Sequence, residues 1–351
     1  MANIVILGAG VMGTAFGFPL ADTGQQVHLV GTHLDLDWIN GIRATGIHPK
    51  LQVKLPKNIT SYTHDQLGEV LTEQTDLIVL GVSSPGVNWA IQQLGQHLKK
   101  SIPILMLTKG LAAREGHLDI LPAIVREGLA EHGFQDVPVG GVGGPCIAGE
   151  LAARRDSSVV LAFSDQALLD KVFPLIAAPY YHARPSTDLI GLEACAALKN
   201  FYALAVGYAK GLLEKQGTAE NGALMYNPAS GLFTQAVAEM GYLIECMGGT
   251  QANVHGLPGI GDLYVTCQAG RNSRMGRLLG LGLSYREAKQ NHMAADTIEG
   301  TDLALTIGPT IEALLDQGQL DPSRLPLAKA IIESICHNQL MSIPWTRFYA
   351  L

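Results

Sequence analysis

The chain has 351 residues, with 24 Lys and Arg against 31 Asp and Glu for a formal net charge of −7. Hydrophobic residues make up 47 % and charged residues 16 %, which excludes a disordered chain. An acidic balance without clustered Lys and Arg argues against nucleic-acid binding and leaves an anionic ligand to a few placed cations.

Short apolar runs open the chain at residues 4–7 and 27–30, and others follow at 76–82, 102–108, 137–142 and 158–163. Runs of this length without alternation are expected of strands buried on both faces, and the helical patterns between them imply a mostly parallel sheet. Residues 48–59 (HPKLQVKLPKNI) carry two prolines and read as an ordered loop or edge ribbon. From about residue 189 long helical patterns take over, at 193–213, 230–247 and 304–316. The length fits two domains. The expected division is 1–188, an α/β domain of Rossmann type with a mostly parallel sheet, and 189–351, an all-α domain.

Gly8-Ala9-Gly10-Val11-Met12-Gly13 is a G-x-G-x-x-G placed directly after the first strand and before a helical run. Gly8 serves the tight turn, Gly10 the close approach of a pyrophosphate, and Gly13 the helix–strand contact. A site for NAD usually has Asp or Glu after the second strand, for the ribose diol. Here that position reads Gly31-Thr32-His33, with no acid before Asp35. The reading favours acceptance of NADP, unless Asp35 folds back to the ribose, and NAD stays open.

Lys199 lies within GLEACAALKNFYALAVG, an almost uncharged stretch, where it either snorkels to solvent or faces a polar cleft. Burial lowers a lysine pKa towards neutrality, as a proton donor in carbonyl reduction requires. Asn200 is its neighbour. A second cluster, residues 256–282, holds Asp262, Thr266 and then Gly270-Arg271-Asn272 before a helical run. Gly-Arg-Asn at a helix start suits a phosphate or carboxylate, and equally reads as a glycine-rich surface turn. Lys109 and the Gly143-Gly144-Pro145-Cys146 turn follow expected strands, on the side where open α/β sheets bind ligands.

Five scattered cysteines without a Cys-x-x-Cys pair, and an N-terminus without signal-peptide character, read as a cytoplasmic protein. The apolar stretch at 194–207 carries Lys199 and is short for a membrane span. Eleven histidines without metal-ligand spacing point to no metal site.

GAGVMG at Gly8, LTKGL at Leu107, GGPCIAGEL at Gly143, ALKN at Ala197, GIGDLYVTC at Gly259, RN at Arg271 and IEG at Ile298 run in order through nearly the whole chain. In this combination the chain resembles the soluble bacterial and archaeal NAD(P)-dependent sn-glycerol-3-phosphate dehydrogenases. The resemblance implies reversible reduction of dihydroxyacetone phosphate, supplying glycerophospholipid synthesis, with Lys199 as the catalytic proton donor and acceptor. Lys109 and Asp262 match residues that contact substrate and place that lysine. Arg271 and Asn272 match the phosphate-holding pair, and Gly144, Cys146, Asn200 and Thr266 fall in the substrate-binding motifs. Val11, Met12, Thr32, Lys109, Ala148, Arg271 and Glu299 match cofactor contacts, and a homodimer is implied. The resemblance makes 1–188 the dinucleotide-binding domain and 189–351 the substrate-binding and catalytic domain. Three departures stand out: Cys146 for Ser or Thr, Gln235 for an arginine, and the absence of the family's usual proline from the strand-ending motif near Ser83. A β-hydroxyacid dehydrogenase would share the glycine loop and the Lys-Asn pair but not GIGDLYVTC followed by Gly-Arg-Asn. A non-enzymatic NAD(P) sensor would need no proton donor.

Overall fold

The computed structural model describes residues 1–114, 116–268 and 270–348. The chain forms two compact units, Met1–Lys109 with Leu121–Leu192, and Gly110–Ile120 with Glu193–Leu351. The two units meet at Leu192 and Glu193, and a short excursion from within the first stretch belongs with the second unit.

The first unit runs β1 (Asn3–Leu7), α1 (Val11–Asp22), β2 (Gln26–Val30), α2 (Leu36–Thr45), β3 (Ile59–Tyr62), α3 (Leu67–Val70), β4 (Thr75–Leu80), α4 (Val87–His97) and β5 (Ile104–Met106). The excursion is a hairpin, β6 (Leu111–Arg114) and β7 (His117–Ile120). The first unit resumes with α5 (Leu121–Glu131), β8 (Val139–Gly143), α6 (Ala148–Ala152), β9 (Ser157–Ala162), α7 (Gln166–Ile176) and β10 (Tyr181–Ser186). Among the described residues eight strands form one sheet in the order β10-β9-β8-β5-β4-β1-β2-β3, parallel except between β8 and β9.

The central strands lack alternation because each face of the sheet feeds its own core. Ile4, Ile6, Leu77, Val79 and Leu105 enter one buried cluster, while Val5, Leu7, Ile78, Leu80, Ile104 and Met106 enter the other. Each such side chain contributes about 1.5–3 kcal/mol by leaving water. The chain leaves β1 for β2 and β3 on one side and returns to β4 on the other. This topological switch point lies where Gly8 meets Gly81: a Cβ on Gly8 (φ +115°) would sit 2.7 Å from the Gly81 backbone. Residues 48–59 form the expected loop, pinned by one isolated bridge, Ile47 to Lys54, before β3 closes the edge. The opposite edge, β10, has a polar sequence (YHARPS) that carries no strand signal, and its Pro185 is tolerated there because an edge strand has one unpaired side.

The second unit contains most of α8 (Leu189–Gln216), then α9 (Tyr226–Cys246), α10 (Gln251–Val254), a π-turn (Leu257–Gly261), α11 (Asp262–Gln268), α12 (Arg271–Gly280), α13 (Tyr285–His292), α14 (Glu299–Asp316) and α15 (Pro326–Ile335). The β6–β7 hairpin packs on α14, while from residue 189 onward all the described elements are helical, as expected. At 28 residues α8 is long enough to cross a bilayer, contrary to the shorter stretch expected, but 94 % of its apolar window is buried within the protein, the setting of a core helix.

Glycines set the distance between α8 and α12. A Cβ on Gly207 would stand 2.5 Å from the Ser273 carbonyl, and one on Gly276 or Gly280 would land on the carbonyl of Leu204 or Tyr208. The two backbones thus touch directly. Glu239 on α9 is fully buried and accepts from the amides of Leu327 (2.6 Å) and Ala328 (2.7 Å) at the start of α15. Gln235 (2.8 Å) and the Tyr202 hydroxyl (3.2 Å) also donate to it. Burial pushes this carboxyl up to about 7 despite its donors, since Gln235 supplies a neutral amide where a cation was expected.

Gly276→Ala should lower stability by about 1–3 kcal/mol, because backbone rather than a yielding side chain meets the new methyl; thermal denaturation measures it. A carboxyl raised from 4.5 to about 7 contributes stability that is full below the lower value and lost as pH rises through the higher, about 3 kcal/mol in all. Melting curves for Glu239→Gln between pH 5 and 8 should therefore fall less steeply with pH than those of the wild type.

Candidate active site

In the first unit the expected residues gather at the carboxyl ends of the central strands. Gly10 precedes α1 with no side-chain cap, so the first amides of that helix, from Val11 to Gly13, remain available to an anion. A Cβ built on Gly10 would meet no atom within 4 Å, whereas one on Gly13 would land on the Gly8 carbonyl. Gly10 is therefore kept open on its outer side, and Gly13 serves packing. These residues fit a dinucleotide pyrophosphate.

Asp35 does fold back, but onto the protein backbone. Its Oδ2 accepts from the Thr32 amide (2.8 Å), the Thr32 hydroxyl (3.0 Å) and the Ala9 amide (3.1 Å), and the residue is 8 % exposed. The carboxylate braces the turn after β1 against the turn after β2. Ala9 is held from its other end too, for its carbonyl accepts from the Thr14 hydroxyl (3.2 Å) and from His48 Nε2 (3.1 Å). His48 is fully buried, and burial holds its pKa below the ordinary value. The sequence reading missed His48, since a lone histidine before a proline has no spacing signal and its contact spans 39 residues.

Lys109 follows β5, where its carbonyl accepts from the Ser84 hydroxyl at 2.6 Å. The Thr108 hydroxyl donates to the Val82 carbonyl at 2.7 Å, so two side chains join the turns after β4 and β5 without the absent proline. Gly144 follows β8 at φ +131°, with Cys146 and Ala148 on the turn into α6.

The second unit brings together Lys199, Asn200, Asp262, Arg271, Asn272 and Glu299. Lys199 does not snorkel: its Nζ pairs with Asp262 Oδ1, and the two side chains are 7 % and 4 % exposed. Asp262 is delivered by the π-turn that starts α11. The close α8–α12 approach lets Asn272 Nδ2 donate to Asn200 Oδ1 at 2.9 Å. Asn200 Nδ2 in turn donates to Glu299 Oε2 at 2.9 Å, and Asn272 Oδ1 accepts from the Gly300 amide at 2.8 Å. Gly300 is required here, because a Cβ would land on the Asn200 carbonyl. Both amides are thus committed within the protein, and Asn272 acts first as a connector between α8, α12 and α14.

Arg271 opens α12 with its side chain half exposed, 3.7 Å from Glu299 Oε1. Of this cluster it is the cation that reaches solvent, at a helix N-terminus. The Thr266 hydroxyl donates back to the Asp262 carbonyl at 2.7 Å, stabilising α11. Cys267 is buried, and its thiol is pushed up to about 12, which removes it as a nucleophile. Lys210 caps α11 through the carbonyls of Cys267 (2.9 Å) and Gln268 (3.0 Å), a helix-terminal role. Among the described residues no group of three His, Cys, Asp or Glu is placed to hold a metal.

Comparison with known proteins agrees with this geometry in both units. Residues 3–169 match the N-terminal region, and residues 188–343 the C-terminal region, of NAD-dependent glycerol-3-phosphate dehydrogenase. The NADP(+)-dependent glycerol-3-phosphate dehydrogenase of Archaeoglobus fulgidus is 34 % identical over 287 residues, 82 % of each chain. The NAD(P)+ glycerol-3-phosphate dehydrogenase of Shouchella clausii is 31 % identical over 318 residues, covering 89 % of this chain and 88 % of the relative. A crystal structure of glycerol-3-phosphate dehydrogenase from Coxiella burnetii has a TM-score of 0.78 at 28 % identity, over 97 % of this chain and 96 % of that one. With both regions matched in order and the relatives aligned over most of their length, the chain belongs to the NAD-dependent glycerol-3-phosphate dehydrogenase family.

Proposed function

We propose that the protein reversibly reduces dihydroxyacetone phosphate to sn-glycerol 3-phosphate with NADH or NADPH, in the cytoplasm and as a homodimer, feeding glycerophospholipid synthesis. The observation that carries this reading is the buried Lys199–Asp262 pair, linked through Asn200 and Asn272 to the helix that presents Arg271. Gly8, Gly10, Val11, Met12, Gly13 and Thr32 hold the dinucleotide, with Lys109, Ala148, Arg271 and Glu299 as the further contacts. When bound, NAD(P)H supplies the hydride that the carbonyl carbon accepts. Lys199 gives a proton to the carbonyl oxygen, so that a ketone, a hydride and a proton become a secondary alcohol, and it takes the proton back in the reverse direction. Asp262 holds the ammonium in place through that exchange. Arg271 neutralises the substrate phosphate, assisted by the α12 amides, while Gly144, Cys146 and Thr266 line the substrate. Lys109 joins Lys199 and Asp262 in the catalytic set.

The absent ribose carboxylate supports use of NADP. Asp35 Oδ2 is spent on Ala9 and Thr32, so it is not presented to the ribose diol as the acid of an NAD site is, in keeping with the NADP(+)-dependent relative.

Oxidation of NADPH and NADH, followed by absorbance, should proceed with dihydroxyacetone phosphate and fail with unphosphorylated dihydroxyacetone; equal use of both would remove the phosphate assignment. Arg271→Ala should raise KM for dihydroxyacetone phosphate roughly tenfold to a hundredfold, the worth of charge-assisted hydrogen bonds at about 1.5–3 kcal/mol. Gly10→Ala should melt like the wild type, since its methyl meets nothing in the fold, yet bind dinucleotide about tenfold or more weakly by calorimetry.

A further inference from the structure

His48 occupies a position where both ring nitrogens are assigned by their partners. Nδ1 faces the amides of Lys50 (3.2 Å) and Leu51 (3.1 Å), which can only donate, so Nδ1 carries no proton. Nε2 faces the Ala9 carbonyl (3.1 Å), which can only accept, so Nε2 carries it. The ring is therefore a neutral imidazole of one tautomer, fully buried, with the Trp38 ring of α2 at 5.3 Å. Its own turn is closed by the His48 amide on the Val53 carbonyl (3.2 Å) and the Gln52 amide on the His48 carbonyl (2.9 Å). A second proton on Nδ1 would point at two amide hydrogens inside this closed turn.

The bond to Ala9 matters because that carbonyl belongs to the peptide between Ala9 and Gly10. In a trans peptide the C=O and N–H point in opposite directions. Pulling the Ala9 carbonyl towards His48 thus aims the Gly10 amide to the other side, at the residue the fold keeps open. Asp35 fixes the preceding peptide by accepting from the Ala9 amide.

We propose that His48 is a positioning residue for the dinucleotide, which holds the Ala9–Gly10 peptide in its binding orientation while Nδ1 is unprotonated and its turn closed; the charged ring keeps its Nε2 donor but sets Nδ1 against the Lys50 and Leu51 amides, opening the turn and carrying that donor away from Ala9, so that dinucleotide affinity falls in acidic solution. The charged groups facing the ring are Asp35, from the start of α2, which favours the imidazolium, and Lys50, on the same turn, which opposes it. Burial outweighs both and sides with the neutral form. The inference rests on the glycine loop being the dinucleotide site proposed above.

NADH is the appropriate probe, because it lacks the 2′-phosphate whose own titration would intrude near pH 6. Calorimetric binding to the wild type should weaken about tenfold between about pH 8 and pH 5, with circular dichroism confirming a folded protein at both. His48→Gln keeps an N–H donor for the Ala9 carbonyl without a titrating ring. Its affinity should stay within about threefold across the same range, whereas His48→Ala should bind about tenfold more weakly already at pH 8. A folded wild type whose NADH affinity is flat with pH overturns the inference alone, as does a His48→Gln protein with the full acid loss. A wild type that binds no NADH at pH 8 removes the dinucleotide reading and this inference with it.

Discussion

Lys199 is a lysine whose side chain is 7 % exposed, paired with an aspartate that is 4 % exposed. Withdrawing two charges from water costs several kcal/mol per ion, and replacing such a pair by packed apolar groups is often neutral or stabilising. The pair is therefore poorly explained as a source of stability, and α8 had ample room for another alanine or leucine. Its presence in so apolar a helix fits the proposed chemistry, in which an ammonium held still by one carboxylate carries the proton. Much of the second unit arranges its surroundings. The π-turn delivers Asp262, glycines let α12 touch α8, and Gly300 lets α14 close on Asn200.

The first unit solves a different problem, the orientation of two peptides. Gly8 and Gly81 abut at the switch point of the sheet, and Ala9 between Gly8 and Gly10 is held at both its amide and its carbonyl by side chains distant in sequence. In both units a side chain that looks like a ligand contact in the sequence is engaged by the protein itself. Asp35 is spent on Thr32 and Ala9, and Asn272 on Asn200 and Gly300. A preorganised site needs such supporting bonds, because groups that must reorient on binding lose affinity in doing so.

The legible parts of the fold were those written in local pattern. β1 and β4 show as unbroken apolar runs because both their faces are buried, and the strand–glycine–helix order around Gly8 carries its own mechanism. β10 was not legible, since an edge strand needs few apolar residues and tolerates Pro185. Nor was the attachment of the β6–β7 hairpin to the helical unit, because partner choice is a long-range fact with no local signature. The same distinction holds at the site. Lys199 was conspicuous as a charge in an apolar helix, while His48 looked like any loop histidine until Ala9 was found beside it.

In the proposed reaction the Lys199–Asp262 pair moves the proton and does not hold the cofactor. The direct measurement sets kcat for dihydroxyacetone phosphate reduction beside the NADPH dissociation constant, in the wild type, Lys199→Ala and Asp262→Asn. Lys199→Ala should lower kcat by about 10²–10⁴-fold, the usual worth of a general acid, with NADPH binding within a few-fold of the wild type. Asp262→Asn should follow it in direction with a smaller loss. A Lys199→Ala enzyme that keeps turnover within about threefold, or one whose lost turnover is matched by lost NADPH binding, would remove Lys199 from the proton transfer.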